Sequence, residues 1–178
     1  IASFPATLDE DESYLVMATG VLDNALPGNP EGLDTAFTLN IWPDLETMAA
    51  AGEVDLNVYH GAPDAPTVDV QVMMGPVIVD DLAYGDFTGY FEAPASDLVL
   101  EVTPGNDNDT VVVAYDAPLS AFDGGVGVVF ASGFLGATGN LPGFGLFVAL
   151  GDGTVIPLTE ASVATETTSL SSLKAIFE

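Results

Sequence analysis

The feature that most constrains the fold is a series of short apolar stretches separated by turn-forming residues. Val68, Val70 and Val72 alternate with polar Asp69 and Gln71, a period-2 pattern that predicts a half-buried β-strand. Similar runs, rich in β-branched or aromatic residues, occupy residues 98–102, 110–115, 126–131 and 144–150. Glycine, proline, asparagine and aspartate lie between these runs, as expected of tight turns. Short strands at this spacing predict an all-β fold, an antiparallel immunoglobulin-like β-sandwich.

One segment departs from the strand pattern. Residues 44–51 begin with aspartate, contain good helix formers and are followed by Gly52. An aspartate at the start and a glycine after the end are typical of helix caps. The segment therefore predicts one or two turns of helix.

Part of the chain is repeated. Residues 4–22 align without gaps on residues 117–135, and the positions identical to their partners are Pro5, Val16, Ala18, Gly20 and Leu22. Further along, residues 37–41 resemble residues 144–148. The repeat predicts three segments: residues 1–50 as a partial β-sandwich repeat (the back half of a unit, or N-terminal half-unit), residues 54–158 as one complete unit, and residues 159–178 as a Ser/Thr-rich tail with an apolar end.

A half-unit exposes sheet edges and an apolar face, which isolated domains avoid. Either it packs onto the complete unit of its own chain, or strands from a neighbouring chain complete it. The two chain ends are the natural donors, so the predicted subunit-interface residues are Ile1, Phe4, Leu170, Leu173, Lys174, Ile176 and Phe177. Lys174 is the single cationic side chain of the sequence. It could steer the tail onto another acidic copy, or it could be an ordinary solvated lysine.

The charge balance excludes some partners. Asp and Glu number 27 against one Lys, for a formal net charge of −26. Nucleic acid is not an expected partner, because binding a phosphate backbone requires clustered Lys or Arg. No apolar run approaches the roughly 18 residues of a membrane span. Repulsion at this charge density must be screened by salt or neutralised by divalent cations.

Calcium is the metal that the sequence favours, because Ca²⁺ takes several oxygen ligands and the chain is rich in Asp and Asn. The candidates, in two acidic runs, are Asp9, Asp11, Asp107 and Asp109. Each run could instead be a solvated turn, and the acidity could instead be an adaptation to salt. No other cofactor is expected. Asn108 begins an Asn-Asp-Thr tripeptide and is a candidate glycosylation site.

Residues 60–70 read His-Gly-Ala-Pro-Asp-Ala-Pro-Thr-Val-Asp-Val. They resemble the HxxPDAPxVDV motif of a family of secreted bacterial and archaeal β-sandwich domains of unknown function, and the likeness covers residues 54–158. The resemblance implies an extracellular β-sandwich and no catalytic residues. His60, with Asp64 and Asp69 close in sequence, could be a ligand or general base, or a structural histidine at a strand end.

These observations predict a non-enzymatic structural subunit of an extracellular filament or surface assembly. Its subunits would be copies of this chain joined by strand or tail exchange. The alternative is a calcium-dependent cell-surface adhesion or carbohydrate-binding module, with glycans as partners. In that case an aromatic group at Tyr84, Phe87, Tyr90 and Phe91 would stack on sugar rings, although such side chains also occur in sandwich cores.

Overall fold

The computed structural model describes residues 3–22 and 26–162, and almost all of its regular structure is strand. The elements in chain order are β1 (Tyr14–Thr19), β2 (Thr38–Pro43), β3 (Glu53–His60), β4 (Val68–Val72), β5 (Val77–Leu82), β6 (Phe87–Pro94), β7 (Asp97–Pro104), β8 (Val113–Pro118), a short 3-10 helix η1 (Leu119–Phe122), β9 (Val126–Ser132), β10 (Gly145–Leu150), β11 (Val155–Pro157) and β12 (Thr159–Glu160). Among these residues, no helix is long and apolar enough to cross a membrane.

Ten strands form two five-stranded sheets. The first sheet has the order β11-β10-β9-β3-β6, and the second has the order β12-β8-β7-β4-β5. Strands β3 and β9 pair in parallel, whereas the other strand ladders of both sheets are antiparallel. A parallel pair needs a long crossover, and here the whole of β4–β8 lies between the two strands. The predicted antiparallel β-sandwich is confirmed.

The core lies between the two sheets, where alternate residues of each strand meet. Val54 and Leu56 of β3 point into it, and they pack with Val129 of β9 and Val148 of β10. The second sheet contributes the following buried side chains: Val70, Val79, Leu82, Leu100 and Ala117. The intervening residues of β3 point to the opposite face of the first sheet, which we call the outer face.

Strands β1 and β2 form a separate antiparallel hairpin, which we call the N-terminal hairpin. It lies on the outer face of the first sheet and adds a third layer to that side. Asp55, Asn57 and Tyr59 of β3 are buried although they point away from the core, and the hairpin residue Asn40 contacts Tyr59. Within the described residues, each hairpin strand pairs with the other alone, so both hairpin edges are open.

The helix predicted over residues 44–51 is wrong: this segment has no regular secondary structure. Its amides donate instead to other parts of the chain. Leu45 N donates to Ser13 O, and Ala49 N donates to Gly124 O, both at 3.1 Å. Hydrogen bonds to distant segments therefore replace the local ones that a helix would need.

Candidate functional site

The N-terminal hairpin has the same geometry as the β9–β10 hairpin of the complete unit. In β1–β2, Tyr14 lies opposite Pro43 and Thr19 opposite Thr38. In β9–β10, the aligned residues pair identically, with Gly127 opposite Leu150 and Ser132 opposite Gly145. The sequence repeat therefore corresponds to the same strands in the same register.

The equivalence extends into the turns beyond the strands. Isolated parallel bridges join Val21 to Ala36 and, at the aligned positions, Phe134 to Gly143. The preceding glycines, Gly20 and Gly133, both have a φ of +87°. A side chain at either would collide with a carbonyl oxygen across the turn. Only glycine tolerates this backbone with so close a neighbour, which explains why the two aligned positions are identical.

One face of the hairpin packs on the outer face of the first sheet through specific polar and aromatic contacts. The Asn40 side-chain amide donates to the Tyr59 hydroxyl at 3.0 Å and to Gly85 O at 2.9 Å. The Trp42 ring lies 5.8 Å from the Phe87 ring, and it also covers Gly89, where an added Cβ would contact it at 3.1 Å. These contacts hold the hairpin in one orientation on the complete unit.

The loop between β1 and β2 reaches the motif of residues 60–70. Asn29 is buried, and its amide donates to Ala65 O at 2.9 Å. The Glu31 carboxylate accepts hydrogen bonds from the Thr67 amide at 3.2 Å and from the Thr67 hydroxyl at 2.8 Å. The N-terminal segment is thus attached to the complete unit at two places, the sheet face and the motif.

Two carboxyl groups meet where the segment after β2 crosses β3. Desolvation, a hydrogen bond with Asp55 and the charges of Asp55 and Glu92 raise the pKa of Glu46. A carboxyl–carboxylate hydrogen bond needs one proton, so this contact is strongest when one of the two groups is protonated. Protonation of Glu46 therefore strengthens its contact with Asp55.

The opposite face of the N-terminal hairpin is apolar and open to solvent. Its side chains occupy the positions that face the core in β9–β10. Val16 is 48% exposed whereas its equivalent Val129 is 5% exposed. For Leu39 and Leu146 the values are 36% and 6%, and for Ile41 and Val148 they are 36% and 5%. We call Val16, Leu39 and Ile41 the open face, which no other strand covers within the described residues.

The carboxylate of Asp64 in the motif binds the loop after β9. Its two oxygens accept hydrogen bonds from the amides of Leu135 and Gly136, each at 2.8 Å. Asp69 is buried, and its carboxylate accepts a hydrogen bond from Asp81 N at 2.6 Å. Both acidic residues of the motif thus bind backbone amides of distant segments.

His60 is a buried histidine at the end of β3. Its Nε2 atom lies 3.0 Å from the carbonyl oxygen of Pro66, and its ring contacts Tyr84 edge-on. Burial lowers the pKa of His60, so the ring is neutral in the folded protein near neutral pH. The neutral ring donates from Nε2 to Pro66 O. This geometry corresponds to the structural interpretation of His60 rather than to a ligand.

A cavity of about 670 Å³ lies beside the N-terminal segment. Leu15 and Leu45 line one side, and strand residues such as Val128 and Leu150 line the other. The lining is largely apolar with carboxylates nearby, so the cavity suits an apolar group better than an anion.

The predicted calcium ligands lie in exposed turns. Asp107 accepts hydrogen bonds through both oxygens, from the Asp109 amide and the Thr110 hydroxyl, and these bonds lower its pKa. Asp9 and Asp11 are exposed before β1. In residues 3–22 and 26–162, no group of three or more Asp, Glu, His or Cys is arranged to hold a metal ion. Calcium binding stays a prediction.

Most predicted subunit-interface residues lie outside the described residues: Ile1, Leu170, Leu173, Lys174, Ile176 and Phe177. Phe4 is described, and its ring packs edge-on against Phe37 of the same chain at 5.6 Å. The glycosylation candidate Asn108 is exposed in the turn after β7, and its side-chain oxygen accepts a hydrogen bond from Thr103. Interface and glycosylation at these residues stay predictions.

The aromatic residues considered for sugar binding do not form one open platform. Tyr84 is buried, and Phe87 packs against Tyr59 at 4.5 Å and against Trp42 of the hairpin. Phe91 packs against the core between the two sheets. These three rings are therefore packing residues.

The sequence predicted that the half-unit exposes an apolar face, but it did not identify Val16, Leu39 and Ile41 as the residues of that face. The signal was present in the repeat, because Val16 aligns with Val129 and Ile41 with Val148, both in strongly apolar strands. In β9–β10 the aligned residues Val129 and Val148 are buried in the core between the two sheets.

Comparison with known proteins finds a similarity to one domain family in the central part of the chain. No curated protein and no solved structure matched the chain. The family match ends before β10, whereas the predicted resemblance extended to residue 158. Similarity to a domain family of unknown function is confirmed for the matched part: residues 54–137, from β3 through the loop after β9, match the family described as domain of unknown function DUF4397.

Proposed function

We propose that the protein is a structural subunit of an extracellular filament or surface assembly, joined to its neighbour by completion of the N-terminal hairpin. The observation that carries this proposal is the open face, where residues equivalent to core residues contact solvent. Contiguous exposed apolar surface of this kind marks interaction sites in soluble proteins. The extracellular location rests on the acidic composition and on the resemblance of the motif.

The packing of the hairpin supports a mechanical role. The hairpin would belong to one sandwich through its open face, while its other face is bound to the next sandwich through Asn40 and Trp42. A load on one unit would then pass to the next through a packed interface rather than through a flexible linker. Serial β-sandwich units joined in this way suit a filament or a surface layer.

The alternative, a calcium-dependent adhesion or carbohydrate-binding module, stays a prediction without a specific observation in its favour. Its aromatic platform would need Tyr84 and Phe87 to be free, and both are packed. The acidic turns around Asp9 and Asp107 are available to solvent cations, but each is also an ordinary polar turn.

The test is sedimentation velocity and electron microscopy of the purified full chain, with and without calcium. We expect the chain to associate, because burying the exposed side chains of Val16 and Ile41 in a contact between copies lowers the free energy. The double variant Val16→Asp with Ile41→Asp should remain monomeric. Met48→Asp is the matched control, since Met48 is 78% exposed and lies outside the open face.

A version truncated after Val163 separates the two predicted ways of joining. Association that survives truncation but not the double Asp variant supports joining through the hairpin. Association lost on truncation alone would assign the joint to the tail instead. Monomers of the full chain under every condition would contradict the proposed function.

A further inference from the structure

The described residues contain two back halves of a sandwich but one front half. The back halves are the β1–β2 and β9–β10 hairpins, which share register and turn geometry. The front half consists of β3–β8, and within the described residues it completes the β9–β10 hairpin alone. One hairpin is therefore left without the strands that its equivalent has.

The missing strand next to β1 can be placed from the complete unit. There, β3 adds to the free edge of β9 in parallel, with Asp55 opposite Val126 and Val58 opposite Val129. Val16 is equivalent to Val129. In an incoming strand, the residue equivalent to Val58 would therefore lie opposite Val16. Its N-terminal end would lie near Ser13, which aligns with Val126, and its C-terminal end near Ala18. The geometry thus specifies both the direction and the register of the missing strand.

The turn after β1 indicates the same missing element independently. In the complete unit, Leu135 is half-buried, and its amide is bound by the Asp64 carboxylate. The equivalent Leu22 is 88% exposed. A front half carries the motif with this aspartate, so the same element that covers the open face would also bind the Leu22 amide.

We propose that the N-terminal hairpin is the acceptor for a front half: a polypeptide with the strand pattern of residues 53–118. Its first strand adds in parallel to β1, and its second-sheet strands cover Val16, Leu39 and Ile41. This inference rests on the proposed function, since it names the partner of the joint described there.

The occupant is not the folded body of a second copy. Each copy contributes two back halves and one front half in its described residues, so exchange of front halves between copies always leaves one back half open. A front half that completes β1–β2 and leaves no other back half open must therefore come from polypeptide other than residues 3–162 of this chain or of its copies. Association of the isolated chain through its open face is the expected behaviour of a surface that lacks this occupant.

The experiment supplies the missing element by extending the full chain. Because Phe4 aligns with Ala117, a copy of residues 51–116 is joined directly before Phe4. Val16→Asp and the control Met48→Asp are made in the original and in the extended chain. Hydrogen exchange of the β1 amides is followed by NMR or mass spectrometry, and association by sedimentation.

In the extended chain we expect the exchange of β1 amides to slow by at least about 100-fold, because edge amides become paired. We also expect the association of the original chain to disappear. Val16→Asp should reverse this protection in the extended chain, whereas Met48→Asp should leave it unchanged. Equal exchange rates of β1 in the two chains, or tolerance of Val16→Asp in the extended chain, would overturn the inference.

A second measurement does not depend on folding of the extended chain. A synthetic peptide of residues 53–60 with a spin label at its N-terminus is added to the original chain, with the reversed sequence as control. Parallel addition predicts broadening of the amide signals near Tyr14 and not near Thr19. No broadening, or broadening at the Thr19 end, would count against the acceptor edge. Failure of the inference leaves the proposed function standing if the original chain still assembles, whereas monomers throughout would remove the proposed function itself.

Discussion

The binding of the loop after β9 by the motif can be tested at Asp64. Its carboxylate accepts two amide hydrogen bonds at 2.8 Å, from Leu135 and Gly136. A hydrogen bond to a charged group contributes about 1.5–3 kcal/mol, and half-burial favours the lower end. Asp64→Ala removes both bonds and should lower the free energy of unfolding by about 3 kcal/mol. Asp64→Asn keeps one oxygen acceptor and turns an NH₂ group toward the other amide, so about half of that loss is expected.

The assay is urea unfolding followed by circular dichroism at constant salt. With a urea slope of about 2 kcal/mol per molar, the midpoint should fall by roughly 1.5 M for Asp64→Ala and 0.7 M for Asp64→Asn. The control is Asp80→Asn, which removes the same charge from an exposed residue that makes no side-chain hydrogen bond within the described chain. This control measures how much stability is gained simply by removing one negative charge from so acidic a protein. If Asp64→Asn and Asp80→Asn have the same midpoint, the reasoning is refuted.

Three further results are expected. Burial raises the pKa of Tyr115 to about 12, and its hydroxyl has no hydrogen-bond partner among the described residues, so Tyr115→Phe should keep or raise the urea midpoint. Tyr59→Phe should lower the free energy of unfolding by about 1 kcal/mol, because it removes the hydrogen bond from Asn40. Equal losses of stability in Tyr115→Phe and Tyr59→Phe would contradict this account. The NMR titration of His60 should give a pKa below 6.5, since burial lowers it. The unfolded chain then binds a proton that the folded chain does not, so the contribution of His60 to stability falls as pH drops from 6.5 toward the folded pKa. A measured value at or above 6.5 would show that burial does not govern this ring. For Glu46 the sign is opposite: because its pKa is raised from 4.5, its stabilising contribution is complete below pH 4.5 and is lost as pH rises through the folded pKa. Glu46→Gln should therefore be more stable than the unmodified chain at pH 7 in thermal melts, and a lower melting temperature there would refute the pairing with Asp55.

Most of the sandwich was predictable because short apolar runs separated by turn-forming residues indicate its strands. Val68, Val70 and Val72 lie in β4 as the period-2 pattern indicates. The helix expected over residues 44–51 was wrong because its amides bind distant carbonyls, which local propensity does not reveal. The parallel pairing of β3 with β9 also depends on contacts between residues far apart in sequence.

The candidate site was predictable only in part, for a related reason. The sequence repeat identified residues 1–50 as similar to the end of the complete unit, but it did not say where this segment would pack. The sequence left open whether His60 is a ligand, a general base or a structural residue. Its burial and its hydrogen bond to Pro66 correspond to the structural role. Neither the burial nor the partner could be read from the spacing of the motif.

The sequence by itself determined the strand and turn pattern, the acidic surface and the repeat, because each depends on residue order and composition alone. Tertiary structure decided which face of the N-terminal hairpin is covered. The hairpin is apolar on both sides, with Leu15 and Trp42 on one face and Val16 and Ile41 on the other, so alternation does not distinguish them. Which face is buried depends on which one has a complementary surface to pack against. Trp42 and Asn40 pack on the outer face of the first sheet, whereas Val16 and Ile41 have no complementary surface within the described residues.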